Sequence, residues 1–120
     1  MKTVEAIIRS EKVADVRRAL AEKGITSMTL SNVMGRGEEK EAKREAIKYT
    51  GTGRYDKRSV EVVVDLFART RLVMVLDDDE VNEAVKTIVQ AAKTGEKGDG
   101  IVLVRPVEKV VRIRTGETIG

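Results

Sequence analysis

Two stretches near the end of the chain hold the residues best placed to do chemistry. The first, Thr94-Gly-Glu-Lys-Gly-Asp-Gly100, is a glycine-rich turn between a helix pattern and a strand pattern. Its backbone N–H groups can converge on phosphate oxygens, and glycine permits both the close approach and the positive φ angles this needs. The second, Arg112-Ile-Arg-Thr-Gly-Glu117, sets Arg112 and Arg114 two residues apart. On a strand, that spacing puts both guanidiniums on one face. Two fixed cations on one face suit a polyphosphate or a carboxylate. Each feature alone is common. Together they make an anionic ligand the leading expectation.

Composition narrows what else the chain can do. Its 120 residues include no Cys and no His. Thiol nucleophiles, His-based triads, His general bases and Cys/His zinc sites are therefore excluded. Any metal would be a hard cation held by oxygen ligands. The absence of cysteine leaves no disulfide framework to point to secretion. The start, Met1-Lys-Thr-Val-Glu, lacks the apolar run of a signal peptide. No stretch approaches the roughly 18 consecutive apolar residues of a membrane span, so the expectation is a cytoplasmic protein with no membrane insertion. Hydrophobic residues make up 41% and charged residues 36% of the chain, the balance of a well-folded domain. Phe67, Tyr49 and Tyr55 are its only aromatics, so the core must be aliphatic. The length fits one domain with a modest core, which oligomerisation would help to complete.

The elements that must position the turn and the arginines follow from periodicity. Residues 3–9 read as a strand, with Val4, Ala6 and Ile8 alternating against Glu5 and Ile7. Residues 11–23 read as a helix, with Val13, Val16, Ala19 and Leu20 on one face and Gly24 as its stop. Residues 26–34 form a second strand. Residues 59–67 and 69–76 hold the densest β-branched runs and make one long strand or two short ones. Residues 78–93 form the clearest helix, capped by Asp78 or Asp79, with Val81, Ala84, Val85, Ile88, Ala91 and Ala92 as its apolar stripe. Residues 101–105 form a further strand ended by Pro106, and residues 110–114 a short last one. The order is two β-α-β halves. It predicts an α+β ferredoxin-like βαββαβ sandwich, an antiparallel sheet with two helices on one face, as a single domain over residues 1–120.

Residues 36–58 do not fit that sandwich. A 23-residue connection is far longer than a hairpin needs. It carries eight basic and five acidic residues, while the rest of the chain has fifteen of each, so all of the formal net charge of +3 lies here. Long loops on compact domains are usually functional or disordered. The good helix propensity of residues 38–48 also allows a solvated helical turn. The two readings are compatible, because a mobile loop with a Gly51-Thr-Gly53 hinge can order on a partner.

From end to end, except in this loop, the chain resembles the PII nitrogen-regulatory signal proteins. The resemblance rests on Val4-Glu-Ala-Ile-Ile-Arg9, Ala19-Leu-Ala-Glu-Lys-Gly-Ile25, Met28-Thr29, Gly35-x-Gly37, Val64-Asp65, the Thr94–Gly100 turn and Arg112-Ile-Arg-Thr-Gly-Glu117. It implies a ferredoxin-like protomer in a homotrimer, with adenine nucleotides (ATP, ADP or AMP) in the clefts between subunits. It also implies that the loop between the second and third strands of the sandwich docks onto a regulated target: a transporter, a nitrogen-assimilation enzyme or nitrogenase. Such proteins are not enzymes and carry no cofactor. By position, Gly98, Asp99 and Gly100 would wrap the phosphates, and Arg112 and Arg114 would reach them from the neighbouring subunit. Gly35 and Gly37 would line the cleft, and Ile7, Thr29, Val73 and Val75 would surround the adenine and ribose. Arg69 falls where the family has the lysine that pairs with 2-oxoglutarate. Ile47, Tyr49, Arg54 and Tyr55 would be docking residues of the loop.

Three departures matter. The family usually has a basic residue directly after Gly-Asp-Gly, where it contacts the outer phosphates; here it is Ile101. A lost charge-assisted contact weakens binding by roughly 1.5–3 kcal/mol. Glu39 replaces a Gln that helps hold magnesium and 2-oxoglutarate. A carboxylate there could ligate Mg²⁺ but would repel both the triphosphate and the dicarboxylate. The stretch carrying the modifiable tyrosine of many members is missing, and the loop is longer. The runner-up reading is a degenerate docking module that no longer senses ATP or 2-oxoglutarate. An acylphosphatase-like enzyme, which the fold could also host, needs an Asn beside a phosphate-cradling loop. Asn32 and Asn82 are the only Asn residues, and neither lies near such a loop. An RNA-binding sheet would stack bases on strand aromatics; the only aromatic near an expected strand is Phe67, at its end, and the basic residues are interleaved with acidic ones, so no nucleic-acid partner is expected.

Overall fold

A computed structural model describes residues 1–35, 45–49, 60–64 and 66–119, the two short central segments by their backbone alone. The chain runs β1 (Lys2–Arg9), a 3-10 turn (Ser10–Lys12), α1 (Val13–Glu22), β2 (Thr29–Gly35), β3 (Glu45–Tyr49), β4 (Val60–Val64), β5 (Phe67–Leu76), α2 (Asp78–Ala92), β6 (Gly100–Pro106), β7 (Val110–Val111) and β8 (Thr118–Ile119). Strands β2-β5-β1-β6 form one antiparallel sheet in that order. Each of the crossovers β1-α1-β2 and β5-α2-β6 skips a strand. This is the ferredoxin-like α+β architecture.

The alternation along β1 decides which face is covered. Val4, Ala6 and Ile8 are essentially inaccessible and pack with Leu72, Met74 and Leu76 of β5, Val16 and Leu20 of α1, and Val81, Ala84, Ile88 and Ala92 of α2. Both helices thus lie on the even-numbered face of β1. The odd-numbered face is partly open: Val75, Ile101 and Leu103 are all exposed. On that face Glu5 is buried between two cations. It accepts from Arg71 Nε at 2.5 Å and from Arg105. The Arg71 hydrogen bond leads in holding its carboxyl below the usual range.

Gly24 ends α1 as its sequence position implies. Its φ is +80°, the Gly24 N–H donates to Ala21 O at 2.9 Å, and the Ile25 N–H donates to Leu20 O at 3.0 Å. This paired closure buries Ile25 against the core.

Three expectations need correction, and one left open is decided. The first turn of the expected 11–23 helix is a 3-10 turn, so α1 starts at Val13. The cap of α2 is Asp77, which forms a capping box with Glu80, not Asp78 or Asp79, which are already helical. Residues 59–76, open to reading as one long strand or two, make two, β4 and β5. Finally, residues 45–49 are strand and not part of a helical turn. They pair with β4 from Glu45 opposite Val64 to Tyr49 opposite Val60. The β-branched run of β4 offers these residues a ladder, which outweighs their helix propensity. The rest of the 36–58 loop lies outside the described residues.

Candidate functional site

The Thr94–Gly100 turn joins the end of α2 to the start of β6. Its glycines earn their positions by conformation: Gly95, Gly98 and Gly100 have φ of +87°, +94° and +104°. At Gly100 a second constraint applies. A Cβ there would lie 1.8 Å from the Ile7 carbonyl oxygen, because β6 enters the sheet hard against β1.

Asp99 organises the turn from inside. Its carboxylate accepts from the Thr94 hydroxyl, from the Thr94 and Gly95 N–H groups, each at 2.9 Å, and from Arg9 Nε at 3.2 Å. These bonds hold its carboxyl well below the ordinary range, the Thr94 hydroxyl contributing most. The resemblance implies that the Gly98-Asp99-Gly100 turn wraps phosphates; within that turn the Asp99 carboxylate is engaged by the turn's own donors and by Arg9. The turn is also tied from β1, where Arg9 donates a second bond to Lys97 O at 2.8 Å. Thr94 belongs to the glycine-rich stretch singled out in the sequence, but Arg9 was missed. Its only signal was a cation at the end of the strand that meets β6.

The residues assigned to the adenine and ribose share the open face of the sheet. Thr29 stands opposite Val73 across β2 and β5, and Val75 lies two residues further along β5. Ile7 stands between Arg71 on one side and Ile101 on the other. Ile101 is 55% exposed, so an aliphatic side chain occupies the surface immediately after the turn. Gly35 sits at the end of β2 beside the stem of Arg69.

Arg69 does not project as a free cation would. It is 9% exposed; its Nη1 donates to Ala68 O at 2.8 Å, and its guanidinium lies 5.4 Å from the centre of the Phe67 ring. Burial, and then the neighbouring Arg9, lowers its pKa.

Arg112 and Arg114 require the clearest correction. They do not share a strand face. Strand β7 ends at Val111, and residues 113–115 turn back toward β8 in a separate two-stranded sheet. The turn is closed by Arg112 N–H to Glu117 O at 2.9 Å and Gly116 N–H to Arg112 O at 2.7 Å. Gly116, at φ +73°, forces this reversal. Both arginines are exposed at the hairpin tip, with the fully exposed Ile113 between them. Gly37, Glu39, Arg54 and Tyr55 lie outside the described residues, as do the side chains of Ile47 and Tyr49.

Comparison with known proteins agrees with this architecture. The family model described as nitrogen regulatory protein P-II matches residues 1–117. This chain belongs to the P-II family. It is similar to nitrogen regulatory protein P-II of Nostoc punctiforme, with 44% identity over 117 residues covering 98% of this chain and 95% of that one. Nitrogen regulatory protein P-II 1 of Escherichia coli K12 is 43% identical at the same coverage. Nitrogen regulatory protein GlnK2 of Haloferax mediterranei is 40% identical over 118 residues, covering 98% of this chain and 87% of that one. No described helix is long and apolar enough to cross a membrane.

Proposed function

We propose that this chain is a non-enzymatic nitrogen-regulatory signal protein. Its protomers assemble as a trimer, take up adenine nucleotide in the clefts between subunits, and act on a target transporter or enzyme through the 36–58 segment. The observation that carries the nucleotide reading is the Thr94–Gly100 turn. It is a glycine turn folded around its own carboxylate, and it adjoins the open-face residues Ile7 and Ile101. Since Asp99 is occupied internally, its negative charge is already neutralised by donors and presents little repulsion to a phosphate. Arg112 and Arg114, exposed on a hairpin of their own, are free to serve a neighbouring subunit's turn.

Ile101 favours ADP or AMP being bound at least as tightly as ATP. Inner phosphates are served by backbone N–H groups and guanidiniums. An outer phosphate near Ile101 would meet an aliphatic side chain. Calorimetric titration with ATP, ADP, AMP and 2-oxoglutarate tests this. ADP should equal or exceed ATP, and Ile101→Lys should improve ATP more than ADP. If ATP is clearly the tightest ligand of the unmodified protein, the reading of Ile101 is wrong. If Arg114→Ala leaves nucleotide binding intact, the proposed shared site is wrong. The same exposed Ile101 supports the second reading, a docking module without nucleotide sensing, which heatless titrations and unshifted melting with every nucleotide would favour.

A further inference from the structure

We infer that Arg9 is a positioning residue for the phosphate turn: it fixes the Thr94–Gly100 backbone from β1 and so sets how strongly phosphate, rather than adenosine, contributes to binding. The inference rests on the nucleotide reading above.

The register shows why Arg9 is suited to this. The ladder between β1 and β6 ends with Ile8 opposite Gly100. Arg9 is the next residue of β1, so it stands level with the turn itself. From there its guanidinium spans the turn at two separate points. Nε donates to Asp99 Oδ1 at 3.2 Å, and an Nη donates to Lys97 O at 2.8 Å. Arg9 and Asp99 are only 18% and 25% exposed in their side chains, so this pair is shielded far better than a surface ion pair.

The two bonds act on opposite ends of the backbone nest. Asp99 gathers the Thr94 and Gly95 N–H groups on one side. The Lys97 carbonyl lies immediately before Gly98, whose positive φ turns the chain. Holding that carbonyl outward on Arg9 fixes the direction of the peptide that supplies the Gly98 N–H. Only a planar, forked donor meets two acceptors in this way; an ammonium on a flexible stem cannot fix both. Arg9 also stands opposite Arg69 across β1 and β5, and the competing role is that of a cation that raises the local potential.

The test separates the two roles. Adenosine and ADP are titrated against the unmodified protein, Arg9→Gln and Arg9→Lys, and amide exchange is measured across the turn without ligand. Positioning predicts that Arg9→Gln weakens ADP about tenfold, the loss of one charge-assisted contact's worth of phosphate affinity, with adenosine changed less than about twofold. It predicts that Arg9→Lys, which keeps the charge, recovers only part of this. It also predicts faster exchange at Thr94 and Gly95 in Arg9→Gln, with α2 amides unchanged as the control for intact folding. Full recovery by Arg9→Lys, or unchanged exchange at Thr94 and Gly95, overturns the inference. Equal loss of adenosine and ADP overturns it as well. If the unmodified protein binds neither ligand, the nucleotide reading fails, and the exchange arm still decides whether Arg9 holds the turn.

Discussion

Asp99 and Gly100 show how two adjacent residues can be fixed for different physical reasons. Gly100 is demanded by space and by backbone conformation together. With a side chain 1.8 Å from the Ile7 carbonyl oxygen and φ of +104°, Gly100→Ala must push β6 away from β1 and also strain its own backbone. The expected loss is about 2–4 kcal/mol, read as a lower urea midpoint. Asp99 is demanded by donors. Its folded pKa lies below the ordinary value of 3.8, so its contribution is fully present above that value and is lost as the pH falls below it toward the folded pKa. Asp99→Asn keeps the shape and removes the charge. It should cost about 1–2 kcal/mol at pH 7, below the full worth of charged hydrogen bonds because the turn is near solvent. The gap between variant and parent should narrow as the pH is lowered from 5 to about 2. Glu5, whose carboxyl is also held low by Arg71 and Arg105, remains in both proteins and cancels from the difference. A gap that stays constant with pH would mean that Asp99 acts by shape and not by charge.

At the scale of elements, local signals were legible wherever one dominated. The aliphatic stripe of α2, the Gly24 stop and the alternation of β1 each left one reading, and the sandwich followed from their order. Where two signals competed, the tertiary partner decided. Residues 45–49 are good helix formers but pair with Val60–Val64. Val110-Val-Arg-Ile-Arg looks like a strand, yet Gly116 returns the chain before the arginines can share a face. The conformation of the candidate turn was legible in its glycines, which have positive φ, and its tie to Arg9 was not, because that contact lies 90 residues away. The helix cap shows the same limit at smaller range. Three successive acids, Asp77, Asp78 and Asp79, compete for one capping position, and the extended backbone of Asp77 settles it. Asp77→Ala should therefore destabilise the protein by about 0.5–2 kcal/mol, while Asp79→Ala should change it less. The low half of that range is expected, because Glu80 still reaches back to the residue 77 N–H. Equal losses from the two variants in thermal melts would place the cap elsewhere.

Among the described residues, the four-stranded sheet presents one face to the helices and leaves apolar side chains exposed on the other. Val75, Ile101 and Leu103 are 44%, 55% and 40% exposed on that second face, around a Glu5 already neutralised by two arginines. A small domain rarely leaves apolar side chains clustered on a sheet in solvent without a partner. The proposed trimer would bury them and would bring a neighbour's C-terminal hairpin within reach of the turn. Leu103→Glu tests this without touching the turn or the helix-facing core. Its side chain is on the open face, so a folded protomer can accept the charge in water, whereas a close subunit contact would have to desolvate it. Light scattering at micromolar concentration should show the unmodified chain as a trimer and Leu103→Glu as a monomer with unchanged helical circular dichroism. Nucleotide affinity should fall with the trimer, since each site would draw on two chains. A monomer in the unmodified protein would sink the shared cleft. A trimer that survives Leu103→Glu at full strength would place the subunit contact away from this face.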